Sequence, residues 1–277
     1  MSDTSKGIPQ EQLPSQELHP PPMPVINLGH LSLDDPTVRS RVVNDIAKAC
    51  RDLGYFQVIS HGISQSVMDG AIEAASEFFK LPNEIKKEEY MAKYAVEVRV
   101  VALKLMEAIL EGLGIGKEYM QEKFEEGLQL LSVNCYPKVS QSDTSIGLAA
   151  HSDYGLLTIL LTSCQGLEVV DRSSNSWKVV QQLPHALHVH VGDHMEVLSN
   201  GRIKTVVHRA VLNPQEARIS LASIHGFALH EKVSSAKELV DEENPQKYKE
   251  SSFNDFLEHL TANMDNRQRN FLESLRM

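Results

Sequence analysis

The chain has 277 residues, with 27 Lys and Arg against 37 Asp and Glu, a formal charge of −10. That balance argues against a phosphate-binding surface as its main business, and 42% apolar with 23% charged residues excludes a disordered chain. No run approaches the ~18 apolar residues of a membrane span, no basic-then-apolar leader is visible, and three cysteines without metal-type spacing suit a reducing compartment.

A soluble, cytoplasmic protein is therefore expected, with no nucleic-acid and no membrane partner. Residues 1–23 are polar and proline-rich, ending Pro20-Pro21-Pro22, and read as a flexible arm. A short strand pattern follows at Pro24-Val25-Ile26-Asn27-Leu28. Asp34-Asp35-Pro36 offers a helix start with proline near the first turn. Val38, Val42, Ile46, Ala49 and Cys50 recur at spacings of three and four, one apolar helix face ending at Gly54. Residues 55–59 read as a strand closed by His61-Gly62. A second helix turns Val67, Ala71, Ala74 and Phe78 inward and stops at Pro82. Residues 94–113 give the strongest helical pattern, with Val98, Val101, Leu105, Ala108 and Ile109 on one side and Gly112 and Gly114 at its end.

After about residue 128 the texture changes to short β-rich runs: 131–136, 156–161, 166–170, 177–180, 186–191, 195–198, 205–212 and 218–224. Such runs, punctuated by Gly, Pro, Asn and Ser, predict a sandwich or barrel. Hydrophilic helices at about 252–262 and 265–275 close the chain. The expected layout is an arm over 1–23, a helical and strand region over 24–127, a β core over 128–230 and a helical tail over 231–277.

The sharpest chemical feature is His151-Ser152-Asp153. Side chains two apart on an extended segment leave the same face, so the imidazole and carboxylate can grip one metal ion. His208, inside the apolar run Val206-Val207-His208-Arg209-Ala210-Val211, is the best third ligand. Two histidines and one carboxylate leave three coordination positions open, which suits non-haem Fe(II) taking a co-substrate and O2 together. Ten residues on, Arg218 and Ser220 share a strand face, a guanidinium fork plus hydroxyl that would hold a carboxylate. Asn134 and Tyr136 share another, before Pro137.

These blocks, in this order, resemble the plant-type 2-oxoglutarate and Fe(II)-dependent dioxygenases, with a texture similar to flavanone 3-dioxygenase-like enzymes. Further matching blocks are Gly54-Tyr55-Phe56-Gln57-Val58, His61-Gly62-Ile63, Tyr154-Gly155, Leu157-Thr158-Ile159-Leu160, Gly166-Leu167-Glu168-Val169, Gly192-Asp193, Ser199-Asn200-Gly201 and Lys204. The resemblance implies a mainly β fold with α: a double-stranded β-helix (jelly-roll) core, an N-terminal helical layer and C-terminal helices. It implies that His151, Asp153 and His208 hold iron. It implies that Arg218, Ser220 and Tyr136, with Asn134 nearby, bind the far carboxylate of 2-oxoglutarate. The implied reaction converts 2-oxoglutarate and O2 to succinate and CO2. A small plant specialised metabolite, a flavonoid among the classes, is hydroxylated, desaturated or demethylated, with ascorbate as reductant. No catalytic acid or base is required.

The chain departs from the family in three places. Several dozen residues that normally follow Lys80-Leu81-Pro82 are missing, with the join at Tyr90-Met91. The missing stretch usually supplies strands at the barrel edge and part of the substrate wall, so edge strands would be left unpaired. After Ser220, where relatives carry an aromatic residue and then proline, the run is Ala222-Ser223-Ile224-His225-Gly226-Phe227. Ile224 and Gly226 would project toward substrate, with Ser132 opposite. Cys135 stands where an aromatic is common and alternates away from the co-substrate face. His185, His188, His190 and His194 cluster within ten residues, and the family reading makes that stretch a core strand before Gly192-Asp193 rather than a second metal site. Three other readings stay open: a catalytically impaired shortened isoform, a jelly-roll ligand-binding protein, and a related Fe(II) oxidase that does not use 2-oxoglutarate. A zinc hydrolase is disfavoured for want of a nearby base, and a monomer is favoured.

Overall fold

A computed structural model describes residues 23–79, 86–116, 126–140, 146–262 and 271–277, together with Tyr119, Lys123 and Phe124. Pro82 and the start of the predicted final helix lie outside these residues. Helix α1 (Pro36–Asp52) begins where Asp35 accepts from the Thr37 and Val38 amides, ahead of a proline that has no amide to satisfy. It buries Val42, Val43, Ile46, Ala49 and Cys50. Helix α2 (Gln65–Phe78) is capped by Ser64 and buries Val67, Ala71 and Ala74. Phe78, expected inward, is instead 73% exposed: it stays in phase with Val67, Ala71 and Ala74 but is the last residue of the helix. Helix α3 (Lys86–Leu113) is one continuous helix through Tyr90-Met91, starting before the predicted residue 94. It buries Val98, Val101, Leu105, Ala108 and Ile109 as expected.

The strands are β1 (Val25–Asn27), β2 (Tyr55–Ile59), β3 (Gln129–Tyr136), β4 (Ile146–His151), β5 (Leu157–Thr162), β6 (Leu167–Asp171), β7 (Ser176–Val179), β8 (Leu187–Val191), β9 (His208–Val211) and β10 (Arg218–His225). One sheet runs β1-β2-β8-β5-β10-β3 and the other β4-β9-β6-β7. From β3 onward the chain deals its strands between the two sheets, the wiring of a double-stranded β-helix. Two expectations fail here. Residues 195–198 are not a strand but belong to helix α4 (Asp193–Leu198), since a run of four residues with three apolar ones fits either period. Strand β4 was not among the predicted runs; its Ile-Gly-Leu-Ala-Ala sequence has weak strand preference.

Alternation divides each strand of the larger sheet between two environments. On β10, Ile219 and Leu221 join the core shared with α1, α2 and α3. Arg218, Ser220 and Ala222 point the other way, toward the smaller sheet, where Leu160, Leu167, Val169, Val180 and Val206 form a second, smaller core. The site grows from that inner face. Helices α5 (Phe253–Ala262) and α6 (Phe271–Leu275) close one end. There Tyr154 stacks on Phe256 at 4.1 Å and donates to the Ser252 carbonyl, so the tail anchors the residue next to Asp153.

Candidate metal centre

His151 ends β4 and lies directly opposite His208 on β9, with ring centroids 4.3 Å apart. Asp153 follows on the turn leaving β4. Its Oδ1 is 3.7 Å from His151 Nε2 and 3.8 Å from His208 Nε2. One ligand atom from each of the three lies within 4.8 Å of the others, the sole such group of His, Cys, Asp or Glu among the described residues. These are the three residues that sequence spacing brought together as candidate ligands.

The surroundings fix the chemical form of each ligand. His151 Nδ1 meets the Ala149 carbonyl at 2.8 Å and His208 Nδ1 meets the Val206 carbonyl at 3.3 Å. A carbonyl only accepts, so each Nδ1 carries the proton and each Nε2 turns its lone pair toward Asp153. Burial pushes His208 down to about 3, which keeps it neutral. Burial works to raise Asp153, but the neighbouring His208 and His190 outweigh it and hold the carboxyl below the usual range. Neutral imidazole and ionised carboxylate are the forms a metal ion needs. The donor set therefore fits Fe(II).

The ligand turn is held by backbone. Asp193 and His194 amides at the start of α4 donate to the Asp153 and Tyr154 carbonyls, at 2.8 and 3.2 Å. Gly192 makes this approach possible, because a Cβ there would collide with the Gly155 carbonyl oxygen. Ser152 turns outward from the metal side and donates to Asp193 Oδ2 at 3.1 Å.

The second constellation lies across the same inner face. Arg218 pairs with Tyr136 and Ser220 with Asn134 across β10 and β3, so all four side chains share one face. Arg218 is 1% exposed, and among the described residues the groups acting on it are Tyr136 and Cys164, with no carboxylate among them. Its Nε donates to the Cys164 carbonyl at 3.3 Å and its guanidinium lies 5.1 Å from the Tyr136 ring centre. A buried guanidinium without an anion is costly and points to an anionic ligand. Ser132 lies opposite Ala222 rather than Ile224, whose partner is Leu130, and Gly226 falls beyond the strand end. Cys135 pairs with Ile219 on the other face and is exposed, as expected from alternation.

Sequence reasoning set His190 aside as core. It is buried, but it borders Asp153, with Nδ1 3.7 Å from Oδ2. The alternation of Leu187, Val189 and Val191 against His188 and His190 already marked two inward polar residues.

Acid sensitivity follows from the buried histidines. Burial pushes His188 and His194 down to about 3 and His225 to about 4. Each is neutral when folded, so its stability contribution is lost as pH falls through the ordinary ~6.5 toward those values. At pH 4.5 each costs on the order of 2–3 kcal/mol. Asp193, raised by burial to about 7, works oppositely: its penalty is relieved as pH falls below 7 and offsets roughly one histidine. The metal-free melting temperature is expected to fall by roughly 10 °C between pH 7 and pH 4.5; a flat profile in a thermal melt would contradict it.

Known proteins agree with this geometry. The family model described as the 2OG-Fe(II) oxygenase superfamily matches residues 127–226, and that described as non-haem dioxygenase in morphine synthesis N-terminal matches residues 23–103. The chain is 85% identical to flavanone 3-dioxygenase 3 of Oryza sativa subsp. japonica, with all of both chains covered. That alignment spans 326 positions, 49 more than the 277 residues here. The crystal structure of JOX2 in complex with 2OG, Fe and JA is 27% identical, with a TM-score of 0.76 over 93% of this chain and 90% of that one. The dioxygenase for auxin oxidation of rice shares the fold, with a TM-score of 0.81 at 23% identity over 92% of this chain and all of that one.

Proposed function

The chain belongs to the 2OG-Fe(II) oxygenase superfamily, and from that premise we propose that His151, Asp153 and His208 hold Fe(II) while Arg218, Ser220, Tyr136 and Asn134 seat 2-oxoglutarate. The protein is a 2-oxoglutarate-dependent dioxygenase that oxidises a small plant metabolite and releases succinate. A flavanone or related flavonoid is the proposed substrate class, given the 85% identity to the rice enzyme. When bound, iron supplies the O2 and one-electron chemistry that no side chain performs.

The observation that carries the reading is the buried Arg218 with no carboxylate beside it, on the inner face that also bears the ligand cluster. Its fork matches a carboxylate end to end. Ser220 and Tyr136 add hydroxyl donors on the same face, and Asn134 an amide. His151 and His208 present Nε2, and Asp153 presents charge. His208 is buried and Asp153 is 11% exposed, while His151 keeps the cluster open to solvent on one side. In the proposed layout residues 128–230 form the core that carries every site residue. The region over 24–127 and the tail over 231–277 support it, and residues 1–23 are read as a separate arm. Ser132, Ile224 and Gly226 are proposed on the substrate side.

The test is consumption of 2-oxoglutarate by purified protein with Fe(II), O2 and ascorbate; no consumption would favour an oxidase that does without it. Arg218→Leu is expected to raise the KM for 2-oxoglutarate by roughly 10–100-fold, the loss of one charge-assisted contact of ~1.5–3 kcal/mol. Metal affinity should not change. Succinate formation against 2-oxoglutarate concentration reads this out, and an unchanged KM would remove Arg218 from the site.

The 49 positions without counterpart favour a second reading, an enzyme whose substrate wall is incomplete. On motif spacing they are placed between Tyr90 and Met91, inside α3.

A further inference from the structure

Asp153 uses its two oxygens differently. Oδ1 faces both histidine Nε2 atoms, while Oδ2 is buried and has no hydrogen-bond partner. Behind it stands His190, 1% exposed, with Nδ1 3.7 Å from Oδ2 and no hydrogen-bond partner on either ring nitrogen. Thr158, directly opposite His190 across β5 and β8, also buries an unpartnered hydroxyl. Three polar groups without partners in one dry place call for an explanation, since each costs ~1–3 kcal/mol.

Their chemistry is complementary. An ionised carboxylate only accepts, whereas an imidazole N–H and a hydroxyl donate. The ring of His190 also lies 4.5 Å from that of His208, yet His190 stands outside the ligand set itself. We propose that His190, backed by Thr158, is a positioning residue that donates from Nδ1 to Asp153 Oδ2, so that the carboxylate offers the metal Oδ1 alone. Groups that orient a ligand in this way typically contribute 10–100-fold to metal affinity. The inference rests on the reading of His151, Asp153 and His208 as the metal ligands.

The test is Co(II) titration of the full chain, followed by visible absorption, for the parent protein, His190→Leu and His190→Asn. An asparagine amide nitrogen lies about as far from the backbone as histidine Nδ1, so it preserves the donor. His190→Leu is expected to weaken Co(II) binding roughly 10–100-fold and shift the absorption bands, and His190→Asn to stay within a few-fold of the parent. Without metal, His190→Leu should change the melting temperature little, because it removes a buried imidazole that had no partner but also takes a favourable neighbour from the Asp153 carboxylate. A role in packing alone predicts the reverse: a lower metal-free melting temperature with unchanged Co(II) affinity. Equal affinity in parent and His190→Leu, or equal weakening in both variants, overturns the proposal. Failure of the parent protein itself to bind Co(II) would instead break the ligand assignment.

Discussion

Asp153→Ala is expected to abolish Fe(II) binding and with it the conversion of 2-oxoglutarate to succinate. Asp153 is the one anion of the cluster, and its Oδ1 lies nearly equidistant from the two histidine Nε2 atoms. Removing it leaves two neutral imidazoles to hold a dication. Loss of an outer partner costs 10–100-fold, so loss of the charged ligand should exceed ~100-fold. Folding should survive. The side chain is 11% exposed and Oδ2 has no hydrogen bond, so its removal strands no donor, although the metal-free protein loses the favourable neighbourhood of His208 and His190. Two measurements separate these effects. Metal raises the melting temperature of any protein it binds in the folded state; that rise should vanish in the variant, while the metal-free melting temperature changes only modestly. A variant that kept the metal-induced rise and succinate formation would refute the ligand assignment.

The candidate metal centre was legible because its cues are local. His151 and Asp153 stand two apart on extended chain, and His208 interrupts an apolar run where a buried polar group needs a reason. Arg218-Ile219-Ser220 is equally local. The same alternation that turns Ile219 into the helix-facing core turns its neighbours onto the inner face. What escaped is what depends on distant chain. Residues 195–198 carry only three apolar positions, too few to separate strand from helix, and the α4 amides that clamp the Asp153 turn were invisible for that reason. His190 looked like core because its contact with Asp153 crosses the barrel from one sheet to the other. Phe78 fits the helical period of α2, and only the structure places it in solvent.

Restoring the segment of the rice relative that has no counterpart here, inserted between Tyr90 and Met91, is expected to raise product formation from a flavanone substrate by ~10²-fold, the scale set by misplacing a substrate about an ångström. The reason is the surface left behind. Helix α3 runs unbroken through Tyr90-Met91, with the Tyr90 ring packed where Gly70 of α2 has no side chain. Beside the end of α2, Phe79 joins Ile146 and Leu148 of β4 around a cavity of about 420 Å³ that also touches Asn134 and Tyr136. Those three apolar side chains and Phe78 are all exposed, and β3 ends the larger sheet. Exposed apolar side chains beside a cavity mark a surface built to be covered. The residues proposed for iron and 2-oxoglutarate are all present, so the shortened chain should still bind both and consume 2-oxoglutarate slowly without oxidising much substrate. The grafted chain should bring the ratio of oxidised product to succinate toward one, with Co(II) affinity within a few-fold of the parent. Equal product yield from the two chains would show that the wall is dispensable, and that these exposed apolar residues answer to something other than substrate.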